Sequence, residues 1–191
     1  GSYIIIDDIE FTNVNKQLPN SSFENWTAFE SEEPLGWFSF NLFMKMTGSD
    51  VPVTKTSDAH EGDYAMSIKT KLFDFEGDQQ PVGIATTGIL VEDDLGGGFS
   101  LTMRPDSISF YYKYDNFNNT NDSALFFMQF SKWDANNMVS EPTDSMMVPL
   151  GPTNNYKRFA MALDTNGPDI DTANIVISSS KVFDGIYGVD N

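Results

Sequence analysis

The sequence predicts an all-β protein folded as an antiparallel sandwich of two sheets. Three observations lead to this fold class. Apolar and polar residues alternate along several short segments, Gly, Pro, Asn and Asp bound those segments, and no segment combines helical apolar spacing with capping signals. The chain has 191 residues, 40% of them hydrophobic and 14% aromatic, which is enough to bury one core. We therefore expect one domain over residues 1–191 and little helix.

Two segments show the clearest strand patterns. Within residues 107–114, Ile108 and Phe110 lie on one face and Tyr111 on the other. Residues 124–133 carry bulky side chains on both faces, which predicts a central strand, and we expect it in the same sheet as its predecessor. Six further strands are predicted, at residues 3–11, 37–46, 64–72, 82–91, 157–163 and 174–178.

Polar, turn-rich stretches separate the later strands. They lie at residues 116–122, 136–144 and 164–172, and we expect them to be surface loops. Eight short strands joined by long polar connections favour a jelly roll or a related sandwich. Binding sites are commonly built on such loops.

The charge and the cysteine content exclude several partners and chemistries. There are 28 acidic and 11 basic residues, so the net charge of −17 repels nucleic acid and anionic lipid. The chain has no cysteine, which excludes disulfides and thiolate chemistry. No apolar run approaches the roughly 20 residues that span a bilayer, so no transmembrane segment is expected. Neutral glycans and cations remain as candidate ligands.

Six short strings resemble a known family when they are taken together. They are LPNSSFENW at residues 18–26, PLGW at 34–37, AHEGDYA at 59–65, RPDSISFYYKY at 104–114, KW at 132–133 and ISSS at 177–180. Their order and spacing resemble the Bacteroidetes carbohydrate metabolism domain (PCMD) family of secreted jelly-roll domains. More distantly, they resemble carbohydrate-binding modules of families 4 and 9. The resemblance implies a galactose-binding-like jelly roll in a secreted or outer-membrane, cell-surface protein.

The N-terminal strand departs from that family's order. In the family, an aliphatic strand that ends in paired aspartates comes last, whereas here YIIIDDIEF at residues 3–11 comes first. Three accounts are open. The chain is a piece of tandem repeats cut out of register, the domain is circularly permuted, or the strand within residues 1–17 is exchanged between molecules.

The resemblance also implies a structural calcium ion. Its ligands would be Glu24, Asp7 or Asp8, and backbone carbonyl groups around Glu61 to Asp63. Calcium takes six to eight hard oxygen ligands, which two carboxylates and several carbonyl groups can supply.

The alternation of the first strand predicts where Asp7 points. If Ile5, Ile9 and Phe11 face the core, Asp7 faces it as well, and a buried carboxylate requires a partner. The alternatives to a metal are a solvated or backbone-bonded Asp7, or a β-bulge at the aspartate pair.

Aromatic rings are the candidates for sugar binding, because exposed rings stack on pyranose faces. Trp133 is the first candidate, since it ends a strand just before a polar loop. Tyr111, Tyr114 and Tyr156 follow. The alternative for Trp133 is packing in the core of a Phe-rich sandwich.

Catalysis is less favoured than binding. The only histidine, His60, lies in a turn-like segment, and the chain has neither a Gly-x-Ser-x-Gly motif nor a His-Glu-x-x-His motif. The sequence therefore predicts first a noncatalytic carbohydrate-binding or adhesion module. The alternative is a structural or protein-interaction domain of a surface assembly, whose exposed sheet edge accepts a strand of a protein partner. A glycoside hydrolase-like enzyme comes third.

Overall fold

The computed structural model describes residues 2–29, 31–75, 78–91, 94–117, 121–137 and 139–181, and within these ranges most of the chain is strand. The elements, in chain order, are β1 (Tyr3–Thr12), β2 (Trp26–Phe29), β3 (Ser31–Pro34), β4 (Phe38–Ser39), α1 (Asn41–Met46), β5 (Val53–Thr56), β6 (Ala65–Lys69), β7 (Lys71–Phe75), β8 (Asp78–Val82), β9 (Ile84–Thr86), β10 (Ile89–Val91), β11 (Asp94–Gly96), β12 (Phe99–Ser100), β13 (Ser107–Asp115), β14 (Ala124–Asp134), β15 (Val139–Leu150), β16 (Thr153–Ala162) and β17 (Thr172–Ser178).

Two antiparallel sheets form the body of the protein. The five-stranded sheet has the order β16-β13-β1-β6-β5, and the six-stranded sheet has the order β15-β14-β17-β9-β4, with β12 also paired to β17. The pairs β2–β3, β7–β8 and β10–β11 form separate two-stranded ribbons. The prediction of an all-β, two-sheet antiparallel sandwich is confirmed.

The main hydrophobic core lies between the two sheets. Phe110 of β13 stacks on Phe126 of β14 with ring centroids 4.7 Å apart, and both side chains are fully buried. Ile4 of β1 and Ile175 of β17 belong to the same buried cluster. The alternation seen in residues 107–114 therefore identified the core-facing side of β13 correctly.

A second, smaller core covers the outer face of the six-stranded sheet. Met44 of α1 and Phe73 of β7 pack there with Val176 of β17, and Phe127 of β14 contacts this cluster. This packing explains why β14 carries bulky side chains on both faces. In the described part of the chain, no helix is long and apolar enough to cross a bilayer.

Residues 37–46 were predicted to be one strand, and this prediction is wrong. They form β4 and then α1, because Asn41 is fully buried and binds the backbone of Val53 through both ends of its amide. These two hydrogen bonds, of 2.6 and 2.9 Å, turn the chain out of the sheet.

Two other predictions about the strands are wrong. First, β13 and β14 lie in different sheets and meet across the core. Second, residues 136–144 are not simply a loop, since β15 begins at Val139 and pairs with the whole of β14. Its polar, largely exposed sequence includes Pro142 and Pro149, which is typical of an edge strand.

The N-terminal strand occupies the centre of the five-stranded sheet. β1 pairs with β13 on one side and with β6 on the other, within the same chain. Its aliphatic residues Ile4 and Ile6 are fully buried. Tandem repetition, permutation and exchange between molecules stay predictions about the origin of this strand.

The core predicts that replacing a buried phenylalanine destabilises the protein far more than replacing an exposed one. Phe110→Ala should lower the free energy of unfolding by about 3–5 kcal/mol, because it leaves a cavity between the sheets. Phe117→Ala is the matched control, since 54% of that residue is exposed and its loss should change stability by less than about 0.5 kcal/mol. Chemical denaturation of both variants measures the difference. Equal losses would contradict this account of the core.

Candidate functional site

A β-bulge in β1 creates the candidate site. The register between β1 and β13 shifts between Asp7 and Glu10, and Asp8 has a φ of 51°, in the left-handed region that aspartate tolerates. Ile6 and Ile9 therefore both face the core, and Asp7 lies on the outer face of the sheet opposite Tyr111. The prediction that Asp7 faces the core is wrong, and the alternative of a bulge at the aspartate pair is confirmed.

Asp7 is nevertheless fully buried, because residues 58–64 fold over it. We call these residues the covering segment. One carboxylate oxygen, Oδ2, accepts hydrogen bonds from the backbone N–H groups of His60 (3.0 Å) and Glu61 (3.5 Å). The other oxygen, Oδ1, accepts one from the N–H of Asp8 at 3.0 Å. The buried carboxylate thus has partners, as expected, and they are peptide N–H groups.

The pKa of Asp7 is raised from 3.8 to about 6, mainly by burial and also by the neighbouring charge of Asp8. The three N–H donors oppose this rise, because they stabilise the ionised form. The side chain that anchors the covering segment is therefore sensitive to mildly acidic pH.

Glu24 anchors the other end of the covering segment. Its Oε1 atom accepts hydrogen bonds from the N–H groups of Asp63 and Tyr64, each 3.0 Å long. Gly62 has a φ of 70°, and a Cβ atom at this position would lie 2.1 Å from Glu24 Oε1. Glycine is required at residue 62 for both reasons.

Side chains of β13 and β16 hold the start of the covering segment. The His60 ring stacks on Tyr111 with centroids 3.5 Å apart and planes at 10°, and it meets Tyr156 edge-on at 5.6 Å. The Tyr156 hydroxyl donates to the carbonyl oxygen of Asp58 at 2.6 Å, and Lys113 Nζ contacts the Asp58 carboxylate at 2.5 Å. Burial raises the pKa of Tyr156, and nearby carboxylate charges add to the rise. Tyr156 is thus a support of the segment.

An open cleft of about 500 Å³ lies beside the covering segment on the outer face of the five-stranded sheet. Its polar lining includes Asp8, Glu10, Gln17, Glu61, Tyr111 and Arg158, with the hydroxyl groups of Ser21 and Ser109. Three carboxylates therefore face one guanidinium group. Within the described residues Arg158 forms no ion pair, so its donors are available to a ligand.

The four predicted sugar-binding aromatics do not come together. Tyr111 lines the cleft, and Tyr156 supports the covering segment. Tyr114 is only 1% exposed and packs in the core, so its prediction as a sugar platform is wrong. Trp133 is 50% exposed, but it lies in the other sheet, one residue before the end of β14, where its backbone N–H donates to the Asp171 carboxylate.

The residues of the site do not fit the calcium ion that the resemblance implies. The oxygens of Asp7 and one oxygen of Glu24 already accept N–H groups, and the covering segment therefore turns N–H groups toward them, where calcium would need carbonyl oxygens. Among the described residues, the ligand atoms of Asp8, His60 and Glu61 lie within 4.8 Å of one another. One imidazole and two carboxylates form a mixed nitrogen and oxygen set, which differs from the all-oxygen cage of calcium.

Sequence reasoning missed several residues of the cleft. Arg158 follows Tyr156 by two positions in a strand, so alternation alone would place both on one face. Alternation could not predict the face on which Glu10 lies, because the residues after the bulge point to the opposite face from the one that regular alternation gives. Gln17 carries no local signal, since it lies here only through hydrogen bonds to both backbone groups of Phe11.

Comparisons with models of protein families, with curated proteins and with solved structures found no match for this chain. The resemblance to the PCMD family therefore stays a prediction based on the six sequence strings. What the site can do follows from its geometry and charge.

The pKa of Asp7 predicts a pH dependence of stability. Between pH values of about 4 and 6 the folded state binds more protons than the unfolded state, so the free energy of unfolding falls as the pH rises. At about 1.4 kcal/mol per pKa unit, the loss reaches up to about 3 kcal/mol above the folded pKa. Asp7→Asn removes this titration. Denaturation curves across this range should therefore show wild type gaining stability relative to the variant on acidification.

The control for that experiment is Asp169→Asn, which changes an exposed carboxylate. Its stability should follow that of wild type at every pH. Parallel profiles for wild type and Asp7→Asn would show that Asp7 does not titrate as described.

The site also predicts that calcium does not stabilise the fold. Calcium at a hundred times its Kd would add about 2.7 kcal/mol, or roughly 5–10 °C in Tm for a chain of this size. Because the carboxylates of Asp7 and Glu24 already accept hydrogen bonds from backbone N–H groups, thermal unfolding should give the same Tm in excess calcium and in EDTA. A rise of several degrees in calcium would contradict this description of Asp7 and Glu24.

Proposed function

We propose that this chain is a noncatalytic carbohydrate-binding or adhesion module that binds a neutral glycan in the cleft beside the covering segment. The observation that carries the proposal is the composition of the cleft. It is open, about 500 Å³ in volume, and lined by carboxylate, amide, hydroxyl and guanidinium groups around an aromatic ring. Sugar sites combine such directional polar groups with an aromatic surface.

The polar groups supply both kinds of hydrogen-bonding partner that a sugar requires. The carboxylates of Glu10 and Glu61 accept from sugar hydroxyl groups, and the guanidinium of Arg158 donates to hydroxyl and ring oxygens. Tyr111 lines the same cleft, and its ring is held in place by His60, which covers one of its faces. A sugar would contact the part of the ring that His60 leaves uncovered. Hydrogen bonds to charged groups are stronger than those between neutral groups, which favours this arrangement for hydroxyl-rich ligands.

Charge favours a neutral ligand over an acidic sugar. The cleft has three carboxylates and one guanidinium, and the whole chain has a net charge of −17. A uronic acid or sulfated sugar would approach against this field. Arg158 alone does not reverse it.

Binding rather than catalysis is supported by the role of His60. Its ring lies flat on Tyr111, its Nδ1 atom is 3.1 Å from Asp8 Oδ2, and its backbone N–H binds Asp7. Each contact fixes the covering segment. We therefore assign to His60 a supporting role beside the cleft. The proposed module belongs to a secreted or cell-surface protein, as the sequence resemblance implies.

A glycan array followed by calorimetry with the strongest ligand tests the proposal. Glu10→Ala and Arg158→Ala should each weaken binding by about tenfold or more, because each removes a charged hydrogen-bonding partner worth about 1.5–3 kcal/mol. Both side chains are exposed, so the variants should fold normally. Trp133→Ala is the control and should bind as wild type does.

Two results would overturn the proposal. A silent array with folded protein would remove the glycan as the ligand. Loss of binding in Trp133→Ala, with Glu10→Ala and Arg158→Ala unaffected, would place a sugar site on the other sheet.

A further inference from the structure

One side of the sandwich leaves its core partly open. β15 and β16 are the edge strands of the two sheets on this side, joined only by residues 151–152. Their inward-facing apolar side chains are only partly buried: Met146, Val148, Phe159 and Met161. A cavity of about 160 Å³ lies between the two edges, with Met128 and Phe130 on its wall. We call this row of side chains and the cavity the open side.

The two edge strands differ in their ability to accept another strand. β15 contains Pro142 and Pro149, which lack N–H groups, and its register with β14 shifts near Asp144. Prolines and bulges block strand addition. β16 has ten residues without proline, and among the described residues no strand pairs with the side of its backbone that faces away from β13. β16 is therefore the edge that can accept a strand.

The open side has opposite charges at its two ends. Lys157 pairs with the core-facing Tyr112, so it lies on the inward side of β16, and it forms no ion pair with any described residue. The cavity at the other end is bordered by Asp164 and by Asp144, and the Asp144 carboxylate is already paired with Arg104 at 3.3 Å. Asp164 forms no ion pair with any described residue. An unpaired lysine, a row of apolar side chains and an unpaired aspartate thus follow one another along the edge in the described part of the chain.

We infer that a second copy of this chain binds at the open side, with the two β16 strands paired antiparallel about a twofold axis. Antiparallel pairing reverses one copy, so the Lys157 end of each copy meets the Asp164 end of the other. With Ala160 at the axis, Lys157 lies opposite Leu163, the neighbour of Asp164. Arg158 then lies opposite Ala162, so no like charges face each other. The two five-stranded sheets become one ten-stranded sheet, and the apolar rows cover each other.

The pairing has a consequence for the cleft, and this consequence rests on the proposed function. Arg158 lies on the outer face of β16, the face that carries the cleft. A twofold axis normal to the sheet keeps this face on the same side in both copies, so both clefts open toward the same side of the dimer. A polymeric glycan could then occupy two sites at once, which raises the overall affinity without new contacts. The dimer itself does not depend on the ligand.

Sedimentation velocity over a concentration series in 0.15 M NaCl tests the dimer, because screening at this ionic strength, with a Debye length of about 8 Å, limits the repulsion between two acidic copies. Wild type should show a concentration-dependent dimer. Lys157→Glu and Asp164→Lys should each weaken association by about tenfold. The double variant should regain it, because the charges are exchanged.

Lys16→Glu is the control, since it makes the same charge change at an exposed residue outside β16. It should associate as wild type does. Wild type that stays monomeric at every concentration would overturn the inference. So would equal association of Lys157→Glu and wild type, or a double variant as weak as the single variants. Each outcome is independent of the glycan measurements.

Discussion

The buried carboxylate of Asp7 is the constraint on which the candidate site depends. Removing a carboxylate from water is costly, and here three peptide N–H groups, rather than a counter-ion, offset part of the cost. Two of these groups belong to the covering segment, so the charge that must be satisfied also determines where that segment lies. The cleft exists because the segment forms one of its walls.

The bulge in β1 links this site to the core. Without the extra residue, the alternation of β1 would place either Asp7 or the pair Ile9 and Phe11 on the wrong face. With it, the aliphatic residues pack between the sheets while Asp7 meets the covering segment outside. The strain of the left-handed Asp8 is thus retained at the position where a polar site is built.

Local patterns in the sequence predicted the fold class and much less of the site. The alternation in β13 is strong because its core face is buried along its whole length, so both faces could be assigned. The helix α1 could not be foreseen, since the hydrogen bonds of Asn41 to Val53 form only in the folded chain. The edge strand β15 was missed because its mostly exposed residues carry little hydrophobic pattern.

The site itself combines residues far apart in sequence. Glu24 and Asp7 were singled out through the resemblance as calcium ligands, and both do meet the covering segment, but through N–H groups. The outer face of β13 was visible in the alternation. The residues of β16 that lie beside it could not be predicted, because local alternation does not show which strand pairs with β13.

Amide hydrogen exchange at the covering segment tests the central claim most directly. If Asp7 holds the segment, the amides of His60 and Glu61 exchange slowly in wild type and much faster in Asp7→Asn, while those of Asp63 and Tyr64, bound to Glu24, change less. Equal exchange at His60 and Glu61 in the two proteins would contradict the account.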